Sequence, residues 1–176
     1  MKLHLGCGKN YLPGWINVDL FSTVQADVYA DITALPFERE AFDLIYASHV
    51  LEHVHRHTVV ATLGHWRDLL KPGGVLRLAV PDFQAVCEWY NSTGRLDDVM
   101  GLLYGGQNHP KNHHFVAFDR KTLIRDLTRA GFATCRDWNW RETDHARFDD
   151  YSQARLPHMS DGNGTVWVSL NVEATK

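Results

Sequence analysis

Short apolar segments alternate with polar stretches through the first half of the chain, and this pattern predicts strands separated by loops and helices. Five segments predict strands: 2–5, 16–20, 27–31, 42–47 and 75–80. The fourth segment is apolar on both faces, which is typical of a buried parallel strand. Apolar residues at helical spacing predict an amphipathic helix over roughly 57–71, which ends at a Lys-Pro-Gly-Gly sequence.

The second half of the chain adds helices that begin at aspartates and two further strands. Asp82 and Asp119 are placed to cap helices, and Gly131 ends the second of these. Segments 132–138 and 165–174 predict strands, whereas 91–118 and 139–164 have no clear period. The order predicts a single domain over 1–176. Its fold class is α/β, a Rossmann-like, doubly wound, mostly parallel sheet with an antiparallel strand near the C-terminus.

A Gly-x-Gly turn follows the first strand, and an acid ends the second. Gly6 and Gly8 lie where an open α/β sheet binds its ligand, and Asp19 is placed to hold ribose hydroxyls. A dinucleotide site needs a third glycine and an acid about 20 residues on. Here Tyr11 occupies the glycine position, and Asp19 follows at roughly half that distance. The spacing therefore favours S-adenosylmethionine, which has no phosphate.

Several motifs in order resemble one family, the class I S-adenosylmethionine-dependent methyltransferases. They are LHLGCG, NVDL, ADITALPFEREAFDLIYASHVLEHV and LLKPGGVLRLAVPD, within residues 2–82, and more weakly HHFVAFDRKTLIRDLTRAGF. The chain is most similar to the small type-11-like branch associated with surface-polysaccharide biosynthesis. The resemblance implies a Rossmann-like fold and methyl transfer from S-adenosylmethionine to a small-molecule or saccharide acceptor.

The resemblance also implies nine cofactor contacts: Gly6, Cys7, Gly8, Asp19, Leu20, Asp31, Ile32, Ala47 and Ser48. The glycine turn would line the methionine and ribose portions. The first acid would hold the ribose hydroxyls, and Leu20 would pack on the adenine. Asp31 would accept a hydrogen bond from the adenine amino group, with the Ile32 backbone beside it. Ala47 and Ser48 would lie near the transferable methyl group. The chain departs from the family pattern at His4, where an acid is frequent, and at Asn10, where a third glycine is frequent.

The histidines provide the candidates for catalysis. A hydroxyl acceptor must lose a proton, and His49 and His114 are predicted proton acceptors because the pKa of histidine lies near working pH. Residues 49–53 also form an H-x-x-E-H pattern typical of inverzincin metalloproteases. That pattern belongs inside a helix, whereas here it directly follows a strand. A further group, His109, His113 and His114, lies in an aperiodic segment, and no metal is predicted.

Composition narrows the functional classes. The chain has 176 residues, a formal net charge of −3 and a pI near 6.4, which gives no electrostatic footprint for nucleic acid. No apolar run reaches the ~20 residues that cross a membrane, and no signal peptide is predicted. Three widely spaced cysteines indicate reduced thiols and a cytoplasmic location. The alternative to an enzyme is a non-catalytic accessory or binding protein on the same cofactor fold.

Overall fold

A computed structural model describes residues 1–153, 155–160 and 165–176. These residues contain nine strands: β1 Lys2–Leu5, β2 Ile16–Asp19, β3 Val28–Tyr29, β4 Phe42–Ser48, β5 Leu70–Pro81, β6 Thr134–Asp137, β7 Arg155–Ser160, β8 Thr165–Trp167 and β9 Ser169–Thr175. Seven of them form one sheet in the order β3-β2-β1-β4-β5-β9-β6, and β7 and β8 form a separate two-stranded sheet. The pairs among β1–β5 are parallel, and β9 is antiparallel to both β5 and β6. The predicted fold class is confirmed.

Four helices accompany the sheet: α1 Val59–Leu69, α2 Phe83–Thr93, α3 Met100–Tyr104 and α4 Arg120–Arg129. Asp82 caps α2 by accepting a hydrogen bond from the Gln84 backbone N–H, as predicted. Asp119 and Thr122 form a reciprocal capping box at the start of α4. Three short 3₁₀ turns, Leu51–His53, Asp97–Val99 and Trp140–Glu142, lie in the connections.

The prediction of one long strand over 165–174 was wrong. The chain divides at Val168, whose carbonyl accepts a hydrogen bond from the Asp82 backbone N–H. The Val168 side chain is buried with Val86 and Trp89 of α2, away from the main core. β8 therefore pairs with β7, while β9 joins the main sheet. Residues 154 and 161–164 of the aperiodic segment 139–164 lie outside the described residues.

The core lies between the sheet and helices α1 and α4. Leu3, Ile45 and Leu76 of neighbouring strands are fully buried, and they share one cluster with Trp66 of α1 and Leu123 of α4. Each fully buried apolar side chain contributes about 1.5–3 kcal/mol, so this cluster fixes the positions of the strand ends. None of the described helices is long and apolar enough to cross a membrane.

A turn replaces the helix that usually follows β1, and Asn17 holds it in place. The Asn17 side chain accepts from the Leu12 backbone N–H at 2.9 Å and donates to the Leu12 carbonyl at 3.0 Å. Its Oδ1 also accepts from Nδ1 of buried His4 at 3.1 Å. These hydrogen bonds hold the segment between β1 and β2 in one conformation beside Asn17, and the end of β1 borders a cavity.

Candidate functional site

A cavity of about 780 Å³ lies at the carboxyl edge of the sheet. Its wall consists of the turn 6–10, the end of β4 with residues 48–53, several residues of 97–114, and residues 149–151. Both aperiodic segments singled out from the sequence thus contribute to one wall. A cleft outside the carboxyl ends of parallel strands is the usual ligand site of such sheets.

The glycine turn has the geometry that its sequence predicts. Gly6 has a φ of +61°, and a Cβ atom there would lie 2.4 Å from Cγ2 of Val50. Gly8 has a φ of +51°, and a Cβ atom there would meet no atom within 4 Å. Packing therefore requires glycine at position 6, whereas position 8 faces open space beside the cavity. Burial raises the pKa of the Cys7 thiol to about 11, which keeps that thiol protonated.

Two acids follow the ends of β2 and β3, and local backbone groups bind both. The Asp19 carboxylate accepts from the backbone N–H groups of Gly8 at 2.9 Å and Phe21 at 3.0 Å. The Asp31 carboxylate accepts from the hydroxyl and the backbone N–H of Thr33, and these hydrogen bonds lower its pKa. We call the turn 6–10 with Asp19 and Asp31 the nucleoside half of the site, after the part of the cofactor that the sequence resemblance implies for these residues.

The predicted cofactor residues divide into two groups. Gly6, Cys7, Gly8 and Ser48 lie on the cavity wall, and Asp19 is hydrogen-bonded to that wall. The other predicted positions lie outside the wall: Leu20, Asp31, Ile32 and Ala47. The Leu20 side chain is 40% exposed, and Ala47 is buried. The Ile32 carbonyl accepts a hydrogen bond from the Trp66 indole N–H at 2.8 Å.

The other half of the cavity is formed by a histidine–glutamate cluster of His49, Glu52, His53 and His114. Glu52 is 1% exposed, and neither carboxylate oxygen has a hydrogen-bond partner among the described residues. Its Oε1 lies 3.4 Å from Nδ1 of His49 and 3.9 Å from Nε2 of His114, but neither contact has hydrogen-bond geometry. Both predicted catalytic histidines therefore lie beside one buried carboxylate.

The cluster is electrostatically coupled. Burial alone raises the pKa of Glu52, but the neighbouring His49, His53 and His114 outweigh burial and lower it, so the carboxylate is anionic. Burial lowers the pKa of His114 against the opposing effect of Glu52, which favours its neutral form. The inverzincin interpretation fails because residues 49–53 are not one α-helix. His49 has a φ of +52°, and only Leu51–His53 form a 3₁₀ turn.

The segment 149–152 closes the cavity through contacts that sequence analysis missed. Asp150 is buried, and its carboxylate accepts hydrogen bonds from the hydroxyls of Tyr46 at 2.5 Å and Ser152 at 2.6 Å. Ser48 donates to the Asp150 carbonyl at 2.6 Å. The Tyr151 ring lies 5.5 Å from that of His49. Only the length of the aperiodic segment signalled a role here.

Comparison with a family model decides the class of protein. A model described as a methyltransferase domain matches residues 3–136, most of the chain. The chain belongs to this methyltransferase family. The predictions of a methyltransferase and of S-adenosylmethionine as its cofactor are thereby confirmed. No curated protein matches the sequence.

Several solved methyltransferase structures have the same fold as this chain. An S-adenosylmethionine-dependent methyltransferase from Thermotoga maritima has a TM-score of 0.62 and 16% identity, covering 99% of this chain and 81% of that one. One from Mesorhizobium loti has a TM-score of 0.60 and 20% identity, covering 99% and 90%. The 1,6-didemethyltoxoflavin-N1-methyltransferase of Burkholderia thailandensis has a TM-score of 0.60 and 19% identity, covering 99% and 70%.

Proposed function

We propose that this methyltransferase transfers the methyl group of S-adenosylmethionine to a hydroxyl group of a small molecule or saccharide. One observation carries the proposal. The glycine turn with Asp19 and the histidine–glutamate cluster lie at one cavity, so the proposed cofactor site and the proposed proton acceptor would adjoin. The structure of the Burkholderia thailandensis enzyme contains bound S-adenosylhomocysteine, which supports S-adenosylmethionine as the methyl donor in this proposal.

The nucleoside half is proposed to bind the cofactor. Each Asp19 oxygen accepts one backbone hydrogen bond and keeps a second lone pair for a ribose hydroxyl. Asp31 keeps an anionic carboxylate further along the same edge for the adenine amino group. Gly6, Cys7 and Gly8 would line the methionine portion, with Leu20 and the Ile32 backbone beside the adenine. Ser48, on the cavity wall at the end of β4, would lie near the methyl, with Ala47 buried next to it.

His49 is proposed as the proton acceptor. Its Nε2 lies 3.2 Å from the Ser169 hydroxyl oxygen, and that hydroxyl donates to Oδ1 of Asn171. Because the hydroxyl has only one proton, His49 donates to it through Nε2 and keeps a lone pair on Nδ1. Glu52 beside Nδ1 would stabilise the protonated ring. His114 contacts the same carboxylate and is proposed to line the acceptor pocket.

The proposed reaction is a direct displacement. The acceptor oxygen attacks the methyl carbon, the carbon–sulfur bond breaks, and its electron pair stays on sulfur to give S-adenosylhomocysteine. The hydroxyl proton passes to Nδ1 of His49. The sulfonium is already a strong electrophile, so the protein mainly aligns the two reactants. A surface-polysaccharide acceptor and a cytoplasmic location stay predictions from the sequence.

Isothermal titration of the purified protein with S-adenosylhomocysteine tests the cofactor site, and one site per chain is expected. A panel of nucleotide sugars and glycan acceptors, assayed for S-adenosylhomocysteine release, then tests methyl transfer. Binding without turnover of any acceptor in the panel would favour the accessory-protein alternative. Absence of binding at millimolar ligand would contradict the proposal.

A further inference from the structure

We propose that Glu52, His53 and His114 form a binding site for a divalent transition-metal ion. One potential ligand atom from each residue lies within 4.8 Å of the others. The sequence separates these residues into an H-x-x-E-H pattern, which is set aside because it follows a strand, and a later histidine group, so no metal is predicted. The fold joins them at the cavity.

Backbone carbonyls fix the two histidine rings. Nδ1 of His53 lies 3.0 Å from the carbonyl oxygen of His113, and Nδ1 of His114 lies 2.9 Å from that of Leu102. A carbonyl oxygen only accepts, so each Nδ1 must donate its proton. In the neutral ring Nε2 then carries the lone pair. Metal-binding histidines commonly show this arrangement, in which the second ring nitrogen donates to a carbonyl.

Glu52 supplies the third ligand and the strongest argument for a cation. Both oxygens are buried without a hydrogen-bond partner among the described residues. The Nε2 lone pair of His114 lies 3.9 Å from Oε1, so two acceptors face each other with no donor between them. A buried carboxylate in such surroundings needs a positive charge. A divalent ion satisfies all three acceptors at once.

The backbone positions this ligand set firmly. Phe115 donates its backbone N–H to the Glu52 carbonyl at 2.9 Å, and His114 donates its own to the Tyr104 carbonyl at 3.1 Å. Gly105 supports this turn, because a Cβ atom there would lie 2.5 Å from the Asn112 carbonyl oxygen. The segment that carries His114 is therefore held against the 3₁₀ turn that carries Glu52 and His53.

Two imidazoles and one carboxylate suit a first-row divalent ion, and three protein ligands leave coordination positions for an exogenous oxygen. The site adjoins the cavity, whose wall includes all three residues. The ion would bind the acceptor oxygen, orient it toward the methyl and increase its acidity. This role rests on the proposed function, whereas metal binding itself does not. Nδ1 of His49 stays outside the ligand group and remains the proton acceptor.

The test uses the untagged full chain after treatment with a chelator and dialysis. Titration with Zn²⁺ or Mn²⁺ by calorimetry, and with Co²⁺ by visible absorption, should show one site per chain. Glu52→Gln and His114→Ala should each raise the metal Kd at least about 100-fold, beyond the 10–100-fold typical of losing an outer-shell partner. His57→Ala removes an exposed histidine four positions after His53 and should bind the metal like wild type.

Circular dichroism checks that each variant without metal is folded, and S-adenosylhomocysteine titration compares its cofactor site with that of wild type. Glu52→Gln should bind this ligand normally, because the substitution preserves shape and removes a buried charge without a partner. No metal uptake at millimolar concentration, or unchanged uptake in folded Glu52→Gln and His114→Ala, would overturn the proposal. Metal binding without S-adenosylhomocysteine binding would instead sink the proposed function and leave the metal site standing.

Discussion

The two halves of the site differ in whether their carboxylates have hydrogen-bond partners. In the nucleoside half, Asp19 and Asp31 accept hydrogen bonds from nearby backbone groups. In the histidine–glutamate cluster, the buried Glu52 carboxylate accepts no hydrogen bond from any residue in the described part of the chain. Three histidines from two distant segments surround it. The first half is complete without a ligand, whereas the second half is not.

This difference supports the separate roles that we propose for the two halves. A carboxylate with its own hydrogen bonds is rigid and can bind neutral hydroxyls with its remaining lone pairs. An unpartnered buried carboxylate costs folding free energy, and such a cost is typical of functional sites. We therefore expect substitutions in the nucleoside half to change affinity, and substitutions in the cluster to change turnover or metal content.

The largest expected effect concerns His49. His49→Ala should lower kcat by roughly 10²–10⁴-fold, which is typical of losing a general base, and should leave the Kd of S-adenosylhomocysteine unchanged. Steady-state kinetics with an identified acceptor and calorimetry measure the two quantities. Ser169→Ala, which removes only the partner of Nε2, should have a smaller effect. Wild-type kcat in His49→Ala would remove this residue from the mechanism.

The two glycines of the turn differ in how closely other atoms pack against them, so alanine should destabilise the protein more at position 6 than at position 8. Gly6→Ala should lower the free energy of unfolding by about 2–4 kcal/mol, because it adds backbone strain and a clash with Val50. Gly8→Ala should cost only about 1–2 kcal/mol through its positive φ. Urea denaturation measures both. Val50→Ala should restore part of the stability in the Gly6→Ala background, and no restoration would argue against the clash.

Asp19→Asn tests affinity in the nucleoside half. The Kd of S-adenosylhomocysteine should rise by roughly 10–100-fold, equivalent to the 1.5–3 kcal/mol expected for hydrogen bonds to a charged group. Asp137→Asn is the matched control, since Asp137 is exposed on β6 and pairs with Arg120. Unchanged affinity in a folded Asp19→Asn protein would show that the ribose hydroxyls bind elsewhere.

The smallest expected effect is a dependence of the free energy of unfolding on pH, caused by the buried His145. Burial lowers the pKa of His145 to about 4, partly opposed by Asp150, and Arg77 donates to its Nε2 at 3.1 Å. At pH values between the folded-state pKa of His145, about 4, and its unfolded pKa near 6.5, the unfolded chain binds more protons than the folded protein. Stability is therefore lost as pH falls through that window, by about 1–2 kcal/mol between pH 7 and 5.

Urea unfolding at pH 7 and pH 5 measures this loss. His145→Gln keeps an acceptor for Arg77 but does not titrate, so its stability should vary less between the two pH values. Burial also lowers the pKa of His4, which acts in the same direction and remains in the variant. Equal pH dependence in the two proteins would show that His145 is not buried in its neutral form.

Much of the fold followed from local patterns in the sequence. Apolar periodicity predicted the first five strands and α1, with ends that differ by a few residues. Asp82 and Asp119 predicted helix starts because a capping side chain bonds a backbone group only two or three residues away. The positions of the glycine turn and of Asp19 beside the ends of β1 and β2 were predictable from local sequence, whereas the hydrogen bond from the Gly8 backbone N–H to Asp19 was not predicted.

The sequence by itself therefore determined most strand positions, two helix caps and the placement of Asp19 and Asp31 at or just after the ends of β2 and β3. Tertiary structure alone decided that Val168 leaves the last strand for the α2 cluster, and that Asp150 closes the cavity. It also brought His114 to Glu52 through backbone hydrogen bonds between segments far apart in the chain. Local sequence cannot specify such long-range contacts, because burial and charge compensation depend on which distant segments pack at the same edge of the sheet.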